Sequence, residues 1–421
     1  MVGTNVFIAT AQGVVVTVRS KTVFVLPTSD STTQKLLRFK VLQDVTGVSE
    51  IADDNDEPKE KNQAMQPSAP PNRITNVKLF YPQDSDLLAL LLLVDERRLV
   101  YYELNLSAET LLLKTSRSVP RSAACMTVGH LKLENGETKY AVILGQKTGD
   151  VVAVPFPDLD RDLKALLGHT TSMVTNVAVN YDSSLLLTAD RDEKLRVSKF
   201  PNTAVIVSYC LGHVASLTKV ACSTVTPELV VSTSMDNMLM LWDMITGKLL
   251  ASNVLLPGIE VSELEPLDEE AEDDDSGRRV AKSLLNVSLT ICPKTNTVVV
   301  LVNNQYVRFF DITARDLREV TIPPEDMHLL LAGDPSEVCF TDNNILAVSY
   351  KKNPFLQLFS ISTEGTRKLV LVNAAIDAFK DFRSAAEMIE VVDDEMKTLD
   401  ILEDGLKKKK ARNGEWNKRI S

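Results

Sequence analysis

The chain has 421 residues, 44% of them hydrophobic, and a formal net charge of −11. That length and apolar content suffice for a large core. The acidic balance excludes a nucleic-acid binder charged over its whole surface, while leaving room for a local basic face. Five cysteines (125, 210, 222, 292 and 339) show no short paired spacing, and there are only four histidines, so a zinc site is not expected and the thiols read as free and intracellular.

The N-terminus lacks a basic segment followed by a long apolar run. The apolar stretch 87–94 has eight residues, too few to span a bilayer, so no membrane partner is expected. One unit then recurs along the chain. A turn-type or charged residue is followed by β-forming residues and, six positions on, by a closing residue. Ser20 leads to Leu26, Glu96 to Tyr102, Gly149 to Pro155, Asp192 to Ser198, Asp236 to Trp242, Asn304 to Phe310 and Asn353 to Phe359. The starts are separated by 76, 53, 43, 44, 68 and 49 residues. The two long intervals require insertions, and both contain them. Segment 49–61 is rich in Asp and Glu and 66–72 in Pro, Ser and Ala, while 263–275 holds nine acidic residues and no basic one. Such segments bury too little apolar surface to offset their ordering entropy and read as solvated loops.

The central two units are the clearest. Gly168-His169 and Gly212-His213 lie 44 apart, as do Asp192 and Asp236, and the second copy ends in Trp242-Asp243. An early Gly-His and a late Trp-Asp at this period are the signature of WD repeats, each forming one four-stranded blade. The expected fold is all-β, a seven-bladed WD-repeat β-propeller over 1–373, with loop inserts near 48–73 and 258–282. Ring closure should bring Val6 and Ala9 beside the last strand near Leu369 and Val372. From 374 to 421 the apolar period becomes helical (Ile376, Phe379, Phe382, Met388, Ile389, Val392, Met396, Leu399, Leu402), and the chain ends in a basic tail.

Within a WD blade, an entry His, a second-strand Ser or Thr, the turn Asp and the third-strand Trp form a buried hydrogen-bond relay, because buried polar groups need partners. His213, Ser232 or Ser234, Asp236 and Trp242 fit these roles, and His169 and Asp192 fit them one blade earlier, where Ser198 stands in place of Trp. These are structural rather than catalytic residues. His130 reads as an ordinary loop histidine. No nucleotide-binding glycine motif, Gly-x-Ser-x-Gly or His-Glu-x-x-His occurs, so no catalytic residue, metal or cofactor is expected in this chain.

The turn Asp190-Arg191-Asp192-Glu193-Lys194, with Arg196 following, is more charged than the fold requires, since the next blade has Ser234-Met235-Asp236-Asn237 at the same place. Taking Asp192 as the relay member leaves Asp190, Arg191, Glu193 and Lys194 to project, either as a solvated polar turn or as a binding surface. Leu-Leu-Gly-His at 166–169, Thr-Ala-Asp-Arg-Asp-Glu-Lys-Leu-Arg-Val-Ser at 188–198 and Leu-Gly-His at 211–213, with Val119-Pro120-Arg121 and Lys147-Thr148-Gly149-Asp150-Val151 upstream, resemble the non-catalytic WD-repeat subunit of tRNA (guanine-N7-)-methyltransferase. The likeness covers roughly 117–250. It implies a heterodimer with a catalytic subunit that binds S-adenosylmethionine and methylates a guanine in the tRNA variable loop, in the nucleus or also the cytoplasm. It also implies partner contacts at Asp190, Arg191, Asp192, Glu193, Lys194 and Arg196, with Arg196 bracing the loop. Arg121 and Lys147 either extend the candidate surface toward partner or tRNA or are exposed, solvated cations, and Lys407, Lys408, Lys409, Lys410 and Arg412 form a nuclear-localisation signal, a tRNA-touching arm or a solubilising tail. The alternative is a general WD scaffold, such as a substrate receptor of a ubiquitin ligase.

Overall fold

A computed structural model describes residues 6–19, 21–28, 36–42, 73–83, 85–132, 137–170, 172–257, 286–351, 355–362 and 368–372. Most of both acidic inserts, the turn residues Ser20 and Asn353, and the whole of 374–421 with its basic tail lie outside the described residues. Seven four-stranded antiparallel sheets form blades 1 to 7 at 6–40, 74–118, 123–168, 174–211, 217–254, 287–319 and 335–371. The closing residue of every recurrent unit falls on the third strand of its blade, from Leu26 in Thr22–Pro27 to Phe359 in Leu356–Ile361. Among the described residues the only helix is Pro324–Leu331, between blades 6 and 7, which the sequence pattern did not announce.

The second strand of each blade is covered on both faces, so it reads as a continuous apolar run rather than an alternating one. Leu88–Val94 is buried throughout. Its Leu88, Leu90, Leu92 and Val94 pack toward blade 1, and Ala89, Leu91 and Leu93 pack toward blade 3. The same division repeats around the ring. Seven apolar clusters each join one pair of neighbouring blades, the last joining Ala347 and Leu358 of blade 7 to Ile8 and Val15 of blade 1. Seven clusters for seven seams make a closed disc.

Closure differs from the expectation. Val6–Ala11 is the innermost strand of a complete first blade and pairs with Val14–Arg19, rather than joining the sheet of Leu369–Leu371. The seam is instead sealed by packing and side-chain hydrogen bonds. Ile8 N donates to Glu337 Oε2 (2.6 Å), Thr10 Oγ1 to the Phe340 carbonyl (2.8 Å), Gln12 N to Asp342 Oδ2 (2.7 Å) and Arg19 to the Lys351 carbonyl (2.6 Å). These contacts satisfy backbone groups on inner edges that no neighbouring strand pairs.

Candidate functional site

In blade 5 the relay is complete. Trp242 Nε1 donates to Ser232 Oγ (2.8 Å), Ser232 lies 2.8 Å from His213 Nε2, and His213 Nδ1 lies 2.8 Å from Asp236 Oδ2. A carboxylate can only accept, so Nδ1 carries the proton and Nε2 accepts from the serine hydroxyl. Asp236 also accepts from the backbone amides of Val214 and Met238, both at 3.0 Å. Burial pushes the Asp236 carboxyl up, but the hydrogen bonds from His213 and the two amides outweigh this and hold it below the usual carboxylate range. Ser234 is outside the relay; its hydroxyl donates to the Ala215 carbonyl.

Blade 4 builds its relay differently. His169 Nδ1 meets Asp190 Oδ2 at 2.8 Å, and Nε2 meets Thr188 Oγ1 at 2.7 Å. The carboxylate is Asp190, not the expected Asp192. Both rings meet a second-strand hydroxyl 19 residues on, Thr188 in blade 4 and Ser232 in blade 5. Two residues beyond that hydroxyl, on the same side of the strand, blade 4 has Asp190 where blade 5 has Ser234, so blade 4 offers a carboxylate to Nδ1 before the turn is reached. Asp190 is 1% exposed and, opposed by burial but favoured by His169 and the Lys194 amide (2.9 Å), is held below the ordinary range. It is therefore withdrawn from the projecting set. Ser198, at the register of Trp242, is buried and accepts from Arg196 Nε (2.9 Å), so the relay ends at Thr188.

With Asp190 inside, the exposed turn is Arg191, Asp192, Glu193 and Lys194. Its backbone is anchored by Arg191 N on the Met173 carbonyl (2.9 Å) and Asp192 N on Ser172 Oγ (3.1 Å). Glu193 occupies the left-handed region (φ 70°), as does Asn237 in blade 5 (φ 64°). Asn adopts that conformation far more readily than Glu. Asn237 is buried and bonded through both side-chain atoms to Leu256, whereas Glu193 stands in solvent. Arg196 points away from this turn: it donates to Ser198 and to the Thr203 carbonyl (3.0 Å) on the loop at the other end of the strand, and Thr203 Oγ1 donates to the Leu166 carbonyl of blade 3.

Arg121 and Lys147 lie at the same end of the disc, and both are ion-paired. Arg121 meets Asp150 at 2.5 Å, and Lys147 of blade 3 meets Glu96 of blade 2 at 2.7 Å. Beside them a groove of about 610 Å³ is lined by Pro120, Arg121, Asp150, Leu163, Leu166 and Leu167. His130 corrects its loop assignment. It lies within the strand Ala123–Lys132, with Nδ1 2.9 Å from Ser183 Oγ of blade 4, a contact between residues 53 apart that no local motif announces. Among the described residues no three His, Cys, Asp or Glu side chains gather as a metal ligand set.

Seven closed four-stranded blades and the His-Ser-Asp-Trp relay define a WD-repeat propeller. Residues 157–354 match the family model described as the tRNA methyltransferase TRM82 WD40 domain, which bears out the resemblance read from the repeats. The chain is 39% identical over 107 residues to the tRNA (guanine-N(7)-)-methyltransferase non-catalytic subunit WDR4 of Mus musculus, covering 25% of this chain and 26% of that protein. It is 30% identical over 175 residues to the corresponding subunit wuho of Drosophila mojavensis, covering 42% and 43%. The matched stretches thus span less than half the length of either relative. A chain of a solved Mitotic Checkpoint Complex superposes with a TM-score of 0.51 at 13% identity, over 84% of this chain and 88% of that one, a likeness of fold alone.

Proposed function

We propose that this chain is the non-catalytic subunit of a tRNA (guanine-N7-)-methyltransferase. It docks a separate catalytic subunit through the blade 4 turn, stabilises it and helps hold tRNA for 7-methylguanosine formation in the variable loop. S-adenosylmethionine would belong to the catalytic partner, and the nucleus is the expected location. The observation that carries the reading is the exposed turn itself. The scaffold consumes Asp190, leaving Arg191, Asp192, Glu193 and Lys194 as charge that folding does not use. Charges of both signs on a rigid turn set register and partner choice more than raw affinity.

The test is co-purification of the full chain with its methyltransferase. Glu193→Lys is expected to keep the melting transition and lose the stoichiometric partner. Unchanged co-purification after that charge reversal would exclude the turn as the docking site.

A further inference from the structure

The innermost strands of the seven blades surround the axis of the disc, where a propeller encloses a channel. Two lysines stand on these strands. Lys78 lies in Ile74–Phe80 of blade 2 and Lys219 in Leu217–Cys222 of blade 5. The pairing of the inner strand shifts at the same place in blades 2, 4, 5 and 7, between Ile74 and Asn76, Val174 and Asn176, Leu217 and Lys219, and Pro335 and Glu337. Asn76, Asn176, Lys219 and Glu337 are thereby set at one level of the ring. Lys78 is two residues beyond Asn76, on the same side of its strand. The two lysines lie within electrostatic reach of each other, and both reach Glu337 of blade 7 and Cys125 of blade 3. Charged and polar side chains from separate blades thus converge on the axis.

The polar side chains of the inner strands divide into two groups. In blades 1, 6 and 7 they serve the backbone at the seams. Thr10 Oγ1 donates to the Phe340 carbonyl, Ser288 Oγ accepts from the Val338 amide (3.1 Å), Thr290 Oγ1 from the Phe340 amide (3.2 Å) and Glu337 from the Ile8 amide. Lys78, Lys219, Asn76 and Asn176 serve nothing of the kind. Among the described residues neither ammonium has a carboxylate within ion-pair distance, and none of the four side chains has a hydrogen-bond partner. All four are half-buried. Neighbours on the same strands, Val77, Leu79 and Leu217, are packed into the seams between blades, so the remaining surface of the lysines opens on the axis. Burial pulls the Lys78 ammonium below the ordinary lysine range, and Lys219 adds to this. Burial also pushes up both nearby thiols, Cys339 and Cys125, the latter to about 12, so they carry no charge to offset the lysines. Glu337 alone is set against two ammonium groups, and it is held by blade 1.

We infer that Lys78, Lys219, Asn76 and Asn176 hold a small tetrahedral oxyanion, inorganic phosphate or sulfate, on the axis of the propeller. A cation drawn out of bulk water is unfavourable unless it is paired and hydrogen-bonded. Two ammonium groups and two amide NH2 groups are all donors, so the complementary ligand is one that accepts through several oxygens and carries negative charge. Such an ion cross-links blades 2, 4 and 5, which share no strand pairing with one another. The inference concerns the interior of the ring and does not rest on the function proposed above.

The test is isothermal titration calorimetry of inorganic phosphate, and separately of sulfate, into the full chain at constant ionic strength. A saturable isotherm with either anion supports the site, and the tighter of the two identifies its ligand. The same anion should raise the melting temperature of wild type, because it binds the folded chain alone. Lys219→Gln should weaken binding roughly tenfold, the loss of one charge-assisted donor. Lys78→Met/Lys219→Met should abolish both the isotherm and the rise in melting temperature. Should that double variant not fold, Lys219→Gln decides by itself. Lys248→Ala/Lys294→Ala removes two exposed lysines elsewhere and should behave as wild type. The inference is overturned if neither anion gives wild type a saturable isotherm, if folded Lys219→Gln or the folded double variant binds as wild type, or if the Lys248 and Lys294 pair loses as much. Glu193→Lys should keep the anion, so this site and the docking turn can fail separately.

Discussion

Blades 4 and 5 are neighbours of the same strand pattern, and they spend their turns in opposite ways. In blade 5 everything turns inward. Asp236 and Asn237 are buried, and the relay runs from Trp242 through Ser232 and His213 to Asp236. In blade 4 the carboxylate has moved back to the strand end at Asp190, the tryptophan is replaced by Ser198, and the turn beyond is left in solvent. A second Asp two residues upstream is enough to separate holding the blade from presenting charge. The comparison teaches that sequence-equivalent positions, here Asp192 and Asp236, need not do equivalent work.

The largest effect expected from breaking this comparison is in the relays. Asp236→Ala strands a buried histidine and two backbone amides and should cost about 3–5 kcal/mol, as removal of one member of a buried pair does. Asp190→Ala should cost roughly 2–3 kcal/mol, through His169 and the Lys194 amide. Asp192→Ala should stay within about 0.5 kcal/mol, as at an ordinary exposed site. Urea denaturation of the three variants ranks them, and a costly Asp192 with a cheap Asp190 would restore the spacing-based assignment and sink the structural one.

Acid gives a second handle, because both relay carboxyls are held below their ordinary range. For a group whose pKa is depressed on folding, the unfolded chain binds the proton more readily. The stability contributed is then fully present above the ordinary Asp value near ~3.9 and is lost as pH falls through the folded value. Urea midpoints measured from pH 6 to pH 3 should fall most steeply below pH 4, and less steeply in Asp236→Ala, which has already lost that term. A midpoint slope identical in wild type and Asp236→Ala would show that the relay is not the titrating element.

Much of the fold was legible because blades repeat. The closing residues of all seven units lie on third strands, and the unbroken apolar run 88–94 is what burial on both faces demands. The Asp assignment in blade 4 was not legible, because the 44-residue repeat matches Asp192 to Asp236 and gives no sign that Asp190, at the place of Ser234, takes the histidine instead. Ring closure was misplaced for a different reason. A short apolar strand pairs equally well at an inner or an outer edge, and only the ring decides. The charged turn was legible as surplus charge, but which of its two Asp residues is surplus depended on the ring of His169.

The smallest expected effect is also the most discriminating. Glu193 and Asn237 share a left-handed backbone at equivalent turns, yet only Asn237 is a residue suited to it. Glu193→Asn should therefore raise stability by a few tenths up to ~1 kcal/mol, read as a higher urea midpoint at unchanged slope. Docking should weaken in the same variant, because the carboxylate that faces solvent is removed. A gain in stability with a loss of partner would identify strain retained at the turn for binding. If Glu193→Asn instead destabilises the isolated chain, the Glu side chain is serving the fold, and blade 4 differs from blade 5 less than their turns suggest.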